Sequence, residues 1–419
     1  SDPGSDFRTH ADLLIDYGCG QASVGYVTMG VTALCLFLCL SVCAVAGEKD
    51  STDRKMIHMV GVDFRPAYTF PTNGFFKGVN AAQTPVRKTF SGHVKYGFKF
   101  SPDTYWGKIY PHAIQGIGVG YNTFFNSKEI GNPLAVYAFQ TSRIMSITPR
   151  LSFDYEWNFG ASFGWKKYDE ETNPMNNVVG SKINAYINFG LLLNWQIDAR
   201  TNLRAGVGVT HYSNGNTGYP NSGVNTIGGS IGLIRYFGSK EKLELHDKAY
   251  TSCRNRKTFD PYISYDLIVY GALKKKGVFP TESSAVLVPG SFAVGGLNFN
   301  PMYNFSHYFR AGLSLDAQYD ESANIADHIA NTISGPDAEN IRFHRPPFKE
   351  QFAVGVSLRA EIVMPVFSIN LGVGRNVVCK GADTDSFYQV VALKTDITRN
   401  LFLHVGYQLY KFKDPNNLM

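Results

Sequence analysis

Cysteine is scarce where it would count for a fold: beyond residue 50 the chain carries only Cys253 and Cys379. Two thiols exclude a disulfide scaffold. The strand order read below puts them at opposite ends, so no bond between them is expected. Charge is sparse too, 18% of 419 residues, and no long basic run accompanies the formal net charge of +6. That excludes the electrostatic footprint of a nucleic-acid binder. The densest basic cluster, Lys274-Lys275-Lys276, reads as a solvated loop. There is no P-loop, dinucleotide fingerprint or CxxC pair, and His58, His93, His112, His307, His344 and His404 show no metal-ligand spacing. No cofactor and no metal are therefore expected.

Long hydrophobic runs are also missing. The longest apolar stretch, 31–46, is shorter than the ~20 residues of a spanning helix, and it ends in Ala44-Val45-Ala46. That ending has the form of a signal-peptidase site. Residues 1–28 precede a natural start at Met29 and read as upstream sequence. We assign 1–46 to an upstream segment and signal peptide, and 47–419 to the mature fold.

What the chain does have is 41 glycines, 14% aromatics and a recurrent alternation of period two. In 182–197, Ile183, Ala185, Ile187, Phe189, Leu191, Leu193, Trp195 and Ile197 share one face. Asn184, Tyr186, Asn188, Asn194 and Gln196 share the other. Successive strand residues point to opposite faces. A segment this long, apolar on one side and polar on the other, is the pattern of a tilted membrane-spanning strand. Roughly fifteen such segments follow residue 55, and known single-chain barrels have even strand counts. The expected fold is all-β, an antiparallel transmembrane β-barrel of roughly 14–16 strands whose closing C-terminal strand lies beyond the chain's end. Short and long connections alternate from the fourth strand on, as periplasmic turns and extracellular loops do. The exception is 238–257, long yet on the short-turn side, and read as a periplasmic insertion.

Within this frame one segment breaks the apolar stripe. Leu203, Ala205, Val207 and Val209 share a face with His211 and Ser213, at the extracellular end of the seventh strand. Asn225 opens the eighth strand in phase with Ile227, Ile231 and Leu233, beside the pair. A hydroxyl, an imidazole to take its proton and an amide to orient the ring form a nucleophilic constellation. Asn214 and Asn221, on the loop between, supply candidate oxyanion donors. One H-x-S pair is by itself common in strands. Asp154 and Glu156 alternate with Leu151, Phe153 and Tyr155 and so point into the lumen, away from this face.

The run His211-x-Ser213-Asn214 with Pro220-Asn221-x-Gly223 resembles the motif of outer-membrane lipid A 3-O-deacylases, also termed acyloxyacyl hydrolases. The resemblance implies catalytic roles for His211 and Ser213, oxyanion roles for Asn214 and Asn221, and an acidic third member at the position of Asn225. The same spacing is similar to the His-Ser-Asn triad of outer-membrane phospholipase A, which Asn225 matches without substitution. The Arg-Ser-x-x-Asn-Arg surroundings of that family are absent, and its calcium dependence is not carried over. Phe70-Pro71-Thr72-Asn73, Asp154–Gly160 and Tyr407-Gln408-Leu409-Tyr410-Lys411-Phe412 look like large deacylase-like barrels of Bacteroidota. The implied protein is an outer-membrane serine hydrolase whose partner is lipopolysaccharide in the outer leaflet. Phospholipase A activity, or a barrel retained for structure, transport or assembly, are the alternatives.

Overall fold

A computed structural model describes residues 56–102, 104–215, 217–237, 259–281, 284–330, 342–398, 400–410 and 414–419. Eight strands come first: β1 (Met56–Thr69), β2 (Lys88–Phe100), β3 (Ile114–Thr123), β4 (Gly131–Ser146), β5 (Leu151–Trp165), β6 (Ile183–Gln196), β7 (Thr201–Ser213) and β8 (Val224–Tyr236). They pair antiparallel in chain order, and β8 returns to β1 with Val62 opposite Leu233 and Phe64 opposite Ile231. The result is a closed barrel.

A second antiparallel sheet follows, built from β9 (Tyr262–Lys274), β12 (Phe292–Asn304), β13 (Phe309–Asp320), β14 (Phe352–Ile362), β15 (Ser368–Val378), β16 (Phe387–Asp396), β17 (Phe402–Tyr410) and β18 (Asp414–Leu418). Strand β18 comes back beside β9, so this sheet is nearly closed. A small hairpin, β10 (Gly277–Thr281) with β11 (Ser284–Leu287), rises from the β9–β12 connection.

The all-β, antiparallel class is as expected, but the strands form two eight-stranded rings and not one ring of 14–16. Alternation sets which face a residue takes and is identical whether a strand pairs onward or back. Only the β8–β1 register decides where the ring closes. The insertion expected at 238–257, with Cys253, lies outside the described residues.

Eight strands enclose a space that side chains can fill, and both lumens are filled. In the first, Glu156 accepts from Lys95 Nζ at 2.9 Å, Arg204 Nη1 at 2.9 Å and Arg65 Nη2 at 3.0 Å. Asp63 pairs with Arg65 and Lys95. Toward the loops Phe124, Tyr137, Trp165, Tyr186 and Tyr212 pack into one aromatic cluster. The second lumen holds Asp266, Arg310, Glu361 and Lys394 in one paired group and Asp316 with Arg359 in another. Lys274 corrects the solvated-loop reading of its triplet. Strand β9 extends through it, in phase with the inward Asp266 and Ile268, and its ammonium is buried against Asp320. Lys276 pairs with Asp383.

The outer faces carry the opposite chemistry. Val207, Val209, Ile227, Ile231 and Leu233 on the first barrel are exposed, as are Leu267, Val269, Leu313 and Leu358 on the second. An apolar band around a polar lumen is the lipid-facing surface of a membrane barrel. Among the described residues no helix is long and apolar enough to cross a membrane, and the crossing elements are strands.

The two barrels meet along an apolar seam. Ala138, Trp157 and Phe159 of the first pack with Met364, Phe367 and Leu393 of the second, joined by Ile187, Leu403 and Val405. Trp157 and Phe367 cross edge to face at 4.4 Å between centroids. Below, the Tyr110 hydroxyl donates to His307 O, and the Tyr308 hydroxyl donates to Ile109 O, both at 2.6 Å.

Candidate active site

Strand pairing assembles the site. His211 lies directly opposite Asn225 across the β7–β8 ladder, and Ser213 follows it on the same outward face. Side chains directly opposite on neighbouring strands stand about 4.5–5.5 Å apart at Cβ, within hydrogen-bonding reach for an imidazole and an amide. His211 Nδ1 is 2.7 Å from Asn225 Oδ1, and His211 Nε2 is 2.9 Å from Ser213 Oγ.

The two contacts are coupled through the tautomer. An amide oxygen can only accept, so Nδ1 carries the proton and Nε2 presents its lone pair to the serine hydroxyl. Ser213 donates to Nε2. This is the polarity a general base needs, and it follows from Asn225 facing the ring with oxygen and not nitrogen.

The loop after β7 turns back tightly over this pair. The Asn214 backbone N–H donates to Asn221 Oδ1 at 3.1 Å, and Asn214 Nδ2 donates to Gly218 O at 3.0 Å. Among the described residues the buried Asn214 side-chain oxygen has no hydrogen-bond donor. Both loop asparagines thus lie beside the nucleophile and shape the turn, and the amide next to Ser213 is occupied by Asn221. Gly223 closes the turn at φ +68°, where a Cβ would come 3.3 Å from His211 Cε1 and 3.1 Å from Tyr212 O. Only glycine combines that backbone angle with that approach. Its place in the Pro-Asn-x-Gly run was the available signal, but contact with the imidazole was not legible from it.

A second Ser–His pair shows how little the spacing proves alone. Ser91 and His93 also stand two residues apart on one strand face, with His93 Nε2 2.8 Å from Ser91 Oγ and Nδ1 2.9 Å from the Tyr137 hydroxyl. This trio is buried in the first lumen, among Lys95, Arg65 and the aromatic cluster. Asp154 and Glu156 also face that lumen, as expected. Among the described residues no three His, Cys, Asp or Glu side chains converge as a metal site requires.

One expectation changes. The pair faces outward from the first barrel, but it does not face open lipid: Ser213 is 6% exposed and Asn214 4%. The second barrel covers this sector, with Tyr407 of β17 against the loop at Gly215. Nothing in the strand pattern announced that neighbour, because the pattern of β17 is the same whether it meets lipid or protein.

Paired lumens, an apolar girdle and a crossing by strands define an outer-membrane β-barrel protein. Residues 90–233 match the family model of lipid A 3-O-deacylase (PagL), and residues 263–419 match that of the acyloxyacyl hydrolase C-terminal domain. The chain belongs to this lipid A deacylase and acyloxyacyl hydrolase family. The first match runs from β2 into β8 and includes the His211 site, and the second spans the second barrel.

Among solved structures, the chain is similar to Neisserial surface protein A at 9% identity, covering 43% of this chain and 97% of that one, TM-score 0.28. It is similar to the outer membrane enzyme PagL at 14% identity, covering 42% and 98%, TM-score 0.28. The siderophore receptor PirA from Pseudomonas aeruginosa follows at 10% identity, covering 85% and 72%, TM-score 0.26. No curated protein matches significantly.

Proposed function

We propose that this chain is a serine hydrolase of the outer membrane that cleaves an acyl ester of lipid A. The observation that carries the reading is the His211 ring, bonded at one nitrogen to Ser213 Oγ and at the other to Asn225 Oδ1, on the outward face at a strand end. Ser213 Oγ attacks the ester carbonyl while its proton passes to His211 Nε2. The imidazolium so formed keeps its Nδ1–H on Asn225. The same proton then goes to the departing sugar oxygen, which leaves as an alcohol, and water repeats the sequence to release the fatty acid.

The developing oxyanion needs donors, and the Asn214 backbone N–H, next to the nucleophile, is suitably placed. In this reading a substrate carbonyl displaces Asn221 Oδ1 from that N–H, and the Asn221 side chain turns its own N–H inward. A second reading, phospholipase A, is favoured by one observation, the amide in place of an acid at position 225.

Wild type and Ser213→Ala, each refolded in detergent, would be incubated separately with lipopolysaccharide and with phospholipid, and products weighed by mass spectrometry. We expect serine-dependent loss of one acyl chain from lipid A. Serine-dependent lysophospholipid with intact lipid A would transfer the reading to the phospholipase. No serine-dependent product from either would end both and leave a barrel without hydrolase activity.

The third member offers a further expectation. Asn225→Glu puts a negative charge against the imidazolium, and charge-assisted hydrogen bonds are about twice as strong as neutral ones. The initial rate on lipid A should rise by about tenfold. A complete loss of lipid A cleavage with Asn225→Glu, in protein that still folds, would favour the His-Ser-Asn arrangement of the phospholipase.

A further inference from the structure

The second barrel places a polar side chain, Tyr407, against the loop that follows the proposed nucleophile. Along β17 the residues Leu403, Val405 and Tyr407 share the face turned to the first barrel, and the first two pack into the apolar seam. Tyr407 continues that face toward the outer end and is buried, at 9% exposure. Its ring occupies the space a side chain at Gly215 would take. A Cβ there would overlap Tyr407 Cε1 and come 2.9 Å from the hydroxyl oxygen and 3.0 Å from Cζ. Gly215 also sits at φ +63°, which L side chains rarely adopt. The socket therefore depends on glycine twice over. The Tyr407 hydroxyl thus lies in the socket at Gly215, two residues beyond Ser213, which is itself buried.

Ser213 spends its hydroxyl proton on His211 Nε2 and keeps two lone pairs on oxygen. A phenol O–H is a donor that can use one of them. Serine Oγ has three staggered positions, and only one points at the imidazole. A donor fixed by a rigid ring in a glycine socket favours that position.

We propose that Tyr407 is a positioning residue for Ser213, so that the site is completed by the second barrel. The proposal rests on the reading of Ser213 as nucleophile. It gives the second barrel a part in the chemistry: the seam aligns β17 with the loop at Gly215 and carries the phenol to the serine.

The test uses the full chain, refolded in detergent micelles, with folded fraction read from heat-modifiable migration on gels. Three proteins are compared: wild type, Tyr407→Phe and Ser213→Ala. Tyr407→Phe keeps the ring in its socket and removes only the hydroxyl. The probes are a fluorophosphonate, whose reaction rate reports serine nucleophilicity without lipid binding, and lipopolysaccharide for kcat and KM.

With Tyr407→Phe, the labelling rate per folded molecule and kcat should both fall by about tenfold, with KM little changed. A contact that only packs the barrels together would leave labelling unmoved, and that result overturns the proposal. Faster labelling overturns it too, because the phenol would then be shielding Ser213. Should Ser213→Ala label as fast as wild type, the nucleophile reading itself fails and the proposal goes with it. Abolished labelling in Ser213→Ala together with a wild-type rate in Tyr407→Phe removes the proposal alone.

Discussion

Replacing His211 with alanine is expected to lower acyl-ester cleavage by on the order of 10⁴-fold or more, and replacing Ser213 in the same chain to add almost nothing. A serine hydroxyl is a weak nucleophile at neutral pH, and the imidazole is what activates it. The two side chains are joined by one hydrogen bond, so removing either disables the same step. Members of such a unit are grossly non-additive, and the activity left over comes from oxyanion donors and substrate binding. Initial rates for His211→Ala, Ser213→Ala and the double variant, on lipopolysaccharide at saturating concentration, check this. Losses that multiply, or a His211→Ala variant retaining a tenth of wild-type activity, would separate His211 from the step assigned to it.

The second large effect concerns the barrel and not the site. Glu156→Ala is expected to lower the unfolding free energy by about 3–5 kcal/mol, the usual cost of removing one partner from a buried ion pair. Its carboxylate takes hydrogen bonds from Lys95, Arg65 and Arg204, and it is 2% exposed. Asp63 still pairs with Arg65 and Lys95 when Glu156 is gone, whereas among the described residues Arg204 keeps one hydrogen-bond partner, the Thr141 hydroxyl at 2.5 Å. The stranded guanidinium therefore carries most of the penalty. Adding Arg204→Leu to Glu156→Ala should recover part of the loss, since removing both partners of a buried pair costs far less than removing one. Urea unfolding in detergent, followed by tryptophan fluorescence, reads the midpoint. A midpoint unchanged by Glu156→Ala would show that the network adds nothing to stability.

The site was legible because strand geometry is strict. Residues 211 and 213 must share a face on any strand, and the phase of Ile227, Ile231 and Leu233 carries Asn225 to that face too. The registered pair His211–Asn225 agrees with that phase. The lumenal direction of Glu156 followed from the same rule, although its three cationic partners did not, because they come from three other strands. Asn214 and Asn221 were recognised as loop groups, but their bond to one another depends on how the loop folds back, which spacing does not encode. Ser91 and His93 obey the same strand rule and meet just as closely, so the rule finds pairs and does not rank them.

By itself the sequence determined the local facts about this protein: strands that cross a membrane, which residues point outward, and a serine, histidine and asparagine brought to one strand end. These are consequences of a two-residue period that holds wherever a strand is placed. Only the tertiary structure decided that the strands form two barrels, one closed and one nearly closed, and that the outward face of one lies against the other. Closure depends on which distant strand β1 accepts as partner, and the seam on apolar faces that suit lipid and protein equally well. That second decision brings Tyr407 to Gly215, across nearly two hundred residues of chain.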